Sequence, residues 1–148
     1  MEVSMKLSAI IEAWKIDTQI DDLNIDKESV RISSLHAKYL EWLSGERSSS
    51  RALQIKKNQT IKDLRDYYLG VTSQEKLADL DRLPFAERVL KNEVMTFIDS
   101  DQLMIELNSR ISAQDEKVEV LLEIMKSLNQ RNFHLNNATN WRKLMLGG

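Results

Sequence analysis

Apolar side chains recur along this chain at intervals of three and four residues, the spacing that gathers them on one face of an α-helix. Leu7, Ile10, Ile11 and Trp14 make the first such face. Ile32, Leu35, Tyr39 and Trp42 make a second. Asp26 precedes it as a candidate N-cap, and Gly45 follows it as a candidate C-terminal stop. Ser48, Ser49 and Ser50 offer fresh capping hydroxyls, so a third helix is predicted to run to about Leu69, with Gly70 beyond it. The region 1–70 is therefore expected to be a small helical domain built on a helix hairpin.

Residues 71–98 change character and read as a linker with short elements. One helical turn is predicted around 74–81, before Leu83-Pro84-Phe85, and 89–98 shows too little periodicity to assign. Asp99, with Gln102 three residues on, resembles a capping box at the head of a long helix. There Met104, Leu107, Ile111, Gln114, Val118, Leu121, Met125 and Leu128 follow an unbroken 3-4 repeat, the spacing of a coiled-coil seam, with Gln114 its one polar member. A seam lasting over three heptads predicts oligomerisation through Met104, Leu107, Ile111, Val118, Leu121, Met125 and Leu128. The alternative is an intramolecular hairpin in which the final helix covers it. That final helix is expected after Arg131, beyond an asparagine-rich stretch, with Phe133, Leu135, Ala138, Trp141, Leu144 and Met145 as its apolar face. The predicted class is all-α: a helical domain at 1–70, connecting elements at 71–98, and an oligomerisation region at 99–148.

Composition agrees with this class. In 148 residues there are four glycines and one proline, too few for the turns of a sheet protein. Cysteine is absent, which excludes disulfides, thiolate nucleophiles and cysteine-bound metals. No Gly-rich phosphate loop or dinucleotide fingerprint occurs, and His36 and His134 have no metal-ligand spacing around them. Asp17, Asp21, Asp22 and Asp26 lack the glycine and terminal glutamate of a calcium loop and read as solvated capping residues. The sequence thus predicts no catalytic residues, no metal and no cofactor. It also shows no secretory signal and no apolar run of about 18 residues, so a soluble protein without membrane contact is expected.

Charge changes the picture. The chain carries a formal net charge of only −2, which argues against nucleic acid until it is read by segment. Residues 47–65 hold six basic side chains (Arg47, Arg51, Lys56, Lys57, Lys62 and Arg65) against one acidic, Asp63, between two acidic flanks. At ~100° per helical residue, Arg51, Lys62 and Arg65 fall within about 60° of one another, and Arg47 joins them if the helix reaches back that far. Leu53, Ile61, Leu64 and Tyr68 lie opposite, free to pack. A basic stripe backed by an apolar face suits a helix tracking a phosphate backbone. Tyr67 and Tyr68 could add stacking on unpaired bases, although a tyrosine at a helix end is more often core than stacking platform.

Ordered motifs then point to a family. Lys56-Lys57 is followed by Ile61-Lys62-Asp63-Leu64-Arg65-Asp66-Tyr67-Tyr68-Leu69-Gly70, and preceded by Tyr39, Trp42 and Leu43 in a Tyr-x-x-Trp-Leu arrangement. Further on come Phe97-Ile98-Asp99-Ser100-Asp101, the heptads, Lys126-Ser127-Leu128-Asn129-Gln130-Arg131 and Asn137-Ala138-Thr139-Asn140-Trp141. In this order the motifs resemble the UvsY-type recombination mediators of large tailed bacteriophages, from about Leu7 to Leu146. The resemblance implies a protein of the infected host's cytoplasm that binds single-stranded DNA and promotes loading of a RecA-like recombinase onto strands covered by single-strand-binding protein. It also implies hexameric or heptameric rings joined through C-terminal helices. The family's K-A-R-L segment is matched at Lys62, whereas Asp63 and Leu64 replace its alanine and arginine and Arg65 falls one position late. The contrasting expectation is an oligomeric coiled-coil scaffold or adaptor in which the basic stripe is merely solvated.

Overall fold

The structure, a computed structural model, describes residues 5–147. Among these there are five helices and no strand: α1 (Leu7–Asp17), α2 (Ile25–Tyr68), α3 (Gln74–Asp79), α4 (Val94–Asp99) and α5 (Gln102–Leu146). The all-α class is as expected, but two predicted breaks are missing. α2 runs through Gly45 for 44 residues, and α5 runs through the asparagine-rich stretch for 45. Glycine costs a helix interior about 1 kcal/mol. Leu43 and Glu46, buried on either side of Gly45, show the packing that outweighs it. The helix–turn–helix hairpin at 1–70 and the separate final helix are therefore both corrected.

The compact units also cut across the sequential division at 70 and 98. One unit combines residues 1–49 with 114–148, and the other is the continuous stretch 50–113. In the first unit α1, the start of α2 and the rest of α5 enclose Ile10, Ile32, Leu35, Tyr39, Leu43, Leu121, Ile124, Met125 and Leu128. Here α2 and α5 run antiparallel: Glu46 bonds to Gln114, while Ile32 lines a groove with Leu128 and Asn132. The polar seam position is thereby explained. Gln114 donates to both the backbone and the carboxylate of Glu46, whose other oxygen accepts from the Met5 amide at 3.1 Å. The large majority of buried polar groups are partnered in this way.

Cations gather at the C-terminal end of α1, where unpaired carbonyls and the helix dipole favour positive charge. Arg31 donates to the carbonyls of Asp17 and Gln19, Arg131 donates to the Thr18 hydroxyl, and Lys38 and Tyr39 both donate to the Asp17 carboxylate at 2.7 Å. Asp26 lies inside α2 rather than capping it, and its charge serves the first turn of that helix instead.

The second unit is organised by caps. α2 ends in a Schellman motif, with Val71 N–H donating to Asp66 C=O, Gly70 N–H donating to Tyr67 C=O, and Gly70 at φ 75°. α3, the expected short turn, opens on the Ser73 hydroxyl, which accepts from Lys76 N–H. It closes on the same 6→1 and 5→2 bonds around Asp81, a non-glycine residue at φ 55°. α4 fills the stretch that periodicity left unassigned. Asp99 ends α4, so the cap of α5 is Asp101, whose Oδ1 accepts from Leu103 N–H at 2.9 Å. Leu64, Val89, Val94, Ile98 and Met104 form the core, with Phe85, Phe97 and Tyr68 against it.

Candidate nucleic-acid interface

Within the second unit, α2 presents two unlike sides. Leu64 is completely buried, and Leu53, Ile61 and Tyr68 are partly so, which fixes the packed side as the sequence predicts. Arg51, Lys62 and Arg65 are exposed on the other side. Because the helix is continuous, Arg51, Ile55, Asn58, Lys62 and Arg65 follow one another at 4-3-4-3 spacing as a single line, with about 21 Å of helix rise from Arg51 to Arg65. Lys56 is exposed but stands about 140° from Arg51, and half-buried Lys57 stands about 240° away on the packed side. These two lysines add to the local potential without joining the line. Arg47 is exposed and belongs to the first unit.

Partners sharpen the electrostatics. Among the described residues no carboxylate pairs with Arg51, Lys56, Lys57, Lys62 or Arg65. Arg65 donates to Met95 Sδ at 3.6 Å, which holds its guanidinium over α4. The one acid in the block is engaged elsewhere: Asp63 pairs with Lys76 of α3 at 3.1 Å. Sequence reasoning missed Lys76, since nothing in its spacing connects it with Asp63.

The two tyrosines are half-buried, Tyr68 packed against the second core and Tyr67 against Tyr68. Tyr68 sits edge-on to Phe85 at 4.9 Å and tilted on Phe97 at 5.5 Å, and its hydroxyl donates to Asp101 at 2.6 Å. Tyr67 packs edge-on to Tyr68, lies under the Arg82 guanidinium and donates to the Leu83 carbonyl. Both rings are thus already engaged within the protein, the packing role weighed against base stacking for a tyrosine at a helix end. Their role is structural. Arg82 binds Asp101 with two bonds, of 2.7 and 2.8 Å, so one nearly buried carboxylate ties Tyr68, Arg82 and the α5 cap together. Burial opposes the Asp101 charge, yet bonds from Arg82 and Tyr68 hold its pKa below the usual carboxylate value. Burial and donation to Asp101 push Tyr68 up to about 12.

Comparison with known proteins decides the family. A family model described as "Recombination, repair and ssDNA binding protein UvsY" matches residues 13–148. The chain belongs to the UvsY family. No curated protein sequence matches it significantly. Crystal structures of the bacteriophage T4 recombination mediator protein UvsY share the fold, with a TM-score of 0.81 in two lattices. In one of them the identity is 20%, over 95% of this chain and 98% of that one. In the other it is 18%, over 95% and 99%.

For this UvsY-family chain the heptad takes a different role from the one expected. Leu121, Met125 and Leu128 lie in the first core with Val118 packed against it, and Met104 lies in the second. Leu107 is buried and Ile111 half-buried. The chain's own α2 supplies the matching 3-4 pattern, so the seam is filled from within the protomer, and not by the final helix. Periodicity reports that a seam is covered; it carries no information about which chain covers it. The end of α5 is left uncovered, with Phe133, Trp141, Leu144, Met145 and Leu146 all exposed. Among the described residues no group of three or more His, Asp or Glu is placed to hold a metal ion, and no helix is long and apolar enough to cross a membrane.

Proposed function

We propose that this protein is a recombination mediator, holding single-stranded DNA along the exposed line of α2 and promoting loading of a RecA-like recombinase onto strands covered by single-strand-binding protein. Arg51, Lys62 and Arg65 carry the reading: three cations on one open helix face, without a carboxylate partner, backed by a packed face. Arg47, Lys56 and Lys57 strengthen the field around them. A few phosphate contacts hold a strand weakly at physiological salt. Several copies acting together make later contacts intramolecular and raise avidity ~10²–10⁴-fold. The apolar end of α5 supports such an assembly, a hexameric or heptameric ring, in place of the internal heptad. The coiled-coil scaffold reading loses its main support, because its seam lies inside the protomer.

The test is a titration of labelled single-stranded DNA over a range of salt concentrations. Each phosphate contact contributes about 0.7 to the log–log slope on single strands, so replacing Arg51, Lys62 and Arg65 with alanine should flatten it by about 2. Binding that ignores salt, or that survives the triple substitution, overturns the proposal.

A further inference from the structure

The line along α2 is not uniformly cationic. Between Arg51 and Lys62, about 16 Å of helix rise, the positions facing the same way are Ile55 and Asn58. Ile55 is 58% exposed. Gln54 Nε2 donates to Asn58 Oδ1 at 3.4 Å, and the NH2 group of this exposed amide remains available as a donor.

Single exposed isoleucines are common on protein surfaces and mean nothing alone. This one stands between cations on the line a phosphate backbone would follow. A phosphate gains nothing from an aliphatic side chain, whereas the face of an unpaired base does, and an amide donor suits the carbonyl and ring-nitrogen acceptors on base edges. In a duplex those base faces are stacked away and phosphates line the surface, so a rigid duplex laid on the same line would press charge against Ile55.

We infer that Ile55 and Asn58 form a base-contacting step between the phosphate-binding cations, and that this step makes the site prefer single strands over duplex. The inference rests on the DNA-binding reading above and goes further by dividing the line into residues that hold phosphates and residues that meet bases.

The experiment uses full-length protein with three probes of equal length: oligo(dT), an abasic single strand, and a duplex. Wild type should bind oligo(dT) better than the abasic strand, and both better than the duplex. Ile55→Ser combined with Asn58→Ala should weaken oligo(dT) binding about three- to tenfold, less than the loss of an aromatic platform, with the salt slope unchanged. The same variant should bind oligo(dT) and the abasic strand alike. Ile55→Lys should steepen the salt slope and raise duplex affinity, narrowing the single-strand preference. Both positions are exposed, so thermal melts of the variants should match wild type. If wild type shows salt-dependent binding that Arg51→Ala and Lys62→Ala weaken, while the Ile55/Asn58 variant keeps wild-type affinity and preference, the base-contact inference falls and the DNA-binding reading stands. If wild type shows no salt-dependent binding to any probe, both fall.

Discussion

Replacing Gly45 with alanine gives a test whose sign distinguishes two architectures. In the structure Gly45 is an interior residue of α2 without left-handed backbone, and a Cβ built on it meets nothing within 4 Å. No steric cost offsets the gain in helix propensity, so Gly45→Ala should stabilise the protein by about 0.5–1 kcal/mol. For a chain of this size that corresponds to a rise of about 1–4 °C in melting temperature. Urea unfolding followed by far-ultraviolet circular dichroism is the assay; the midpoint should move up with the slope unchanged. Were a hairpin present instead, Gly45 would occupy the left-handed position beyond a helix end. Alanine there costs about 1–2 kcal/mol, and the midpoint would fall. A lower midpoint therefore refutes the unbroken passage of α2 through Gly45; the line from Arg51 to Arg65 lies wholly beyond that point and stands in either architecture.

Asp101→Ala leaves Arg82 and Tyr68 without their shared carboxylate and removes the α5 cap, so it should cost about 3 kcal/mol in the same urea assay. The folded-state pKa of Asp101 is depressed, so its contribution is in place above the ordinary carboxylate value and is lost as pH falls through the folded one. Wild-type stability should accordingly drop below about pH 4, with a shallower drop in the variant. Leu121→Asp buries a lone charge in the first core and should abolish cooperative folding, at a cost above about 4 kcal/mol. Trp141→Asp with Leu144→Asp, on exposed positions, should keep the melt while lowering the mass seen by light scattering; folded protomers from Leu121→Asp would contradict the intramolecular seam. Asp81→Gly relieves left-handed backbone and should stabilise by about 0.5–1 kcal/mol.

The helical class, the buried Ile10 of α1, the short α3 and the exposed Arg51, Lys62 and Arg65 were legible because each depends on local periodicity; Ile11, on the same predicted face, is exposed. The misread parts depended on tertiary context. Gly45 carries a local stop signal, and only the burial of Leu43 and Glu46 around it shows why the helix continues. Asp99 and Asp101 offer equivalent caps by sequence; Arg82 and Tyr68, 19 and 33 residues away, select Asp101. Tyr67 and Tyr68 pointed to bases while Phe85 and Phe97 were hidden in unassigned stretches. The heptad was detected correctly and attributed to the wrong partner, since α2 displays the same repeat in the same chain.

The division of the chain into one unit of continuous sequence, 50–113, and another made from both ends bears on how the protein is made. Synthesis usually completes N-terminal units first. Here α1 and the start of α2 emerge from the ribosome long before the part of α5 that covers them; Arg131 reaches Thr18 across 113 residues of sequence. The unit of continuous sequence, which carries the line from Arg51 to Arg65, is expected to be complete first, while the N-terminal core stays open. Ile10, Leu35 and Tyr39 then remain uncovered until translation is nearly over, so a stalled or truncated chain would present an intact basic face together with an unfinished, adhesive end.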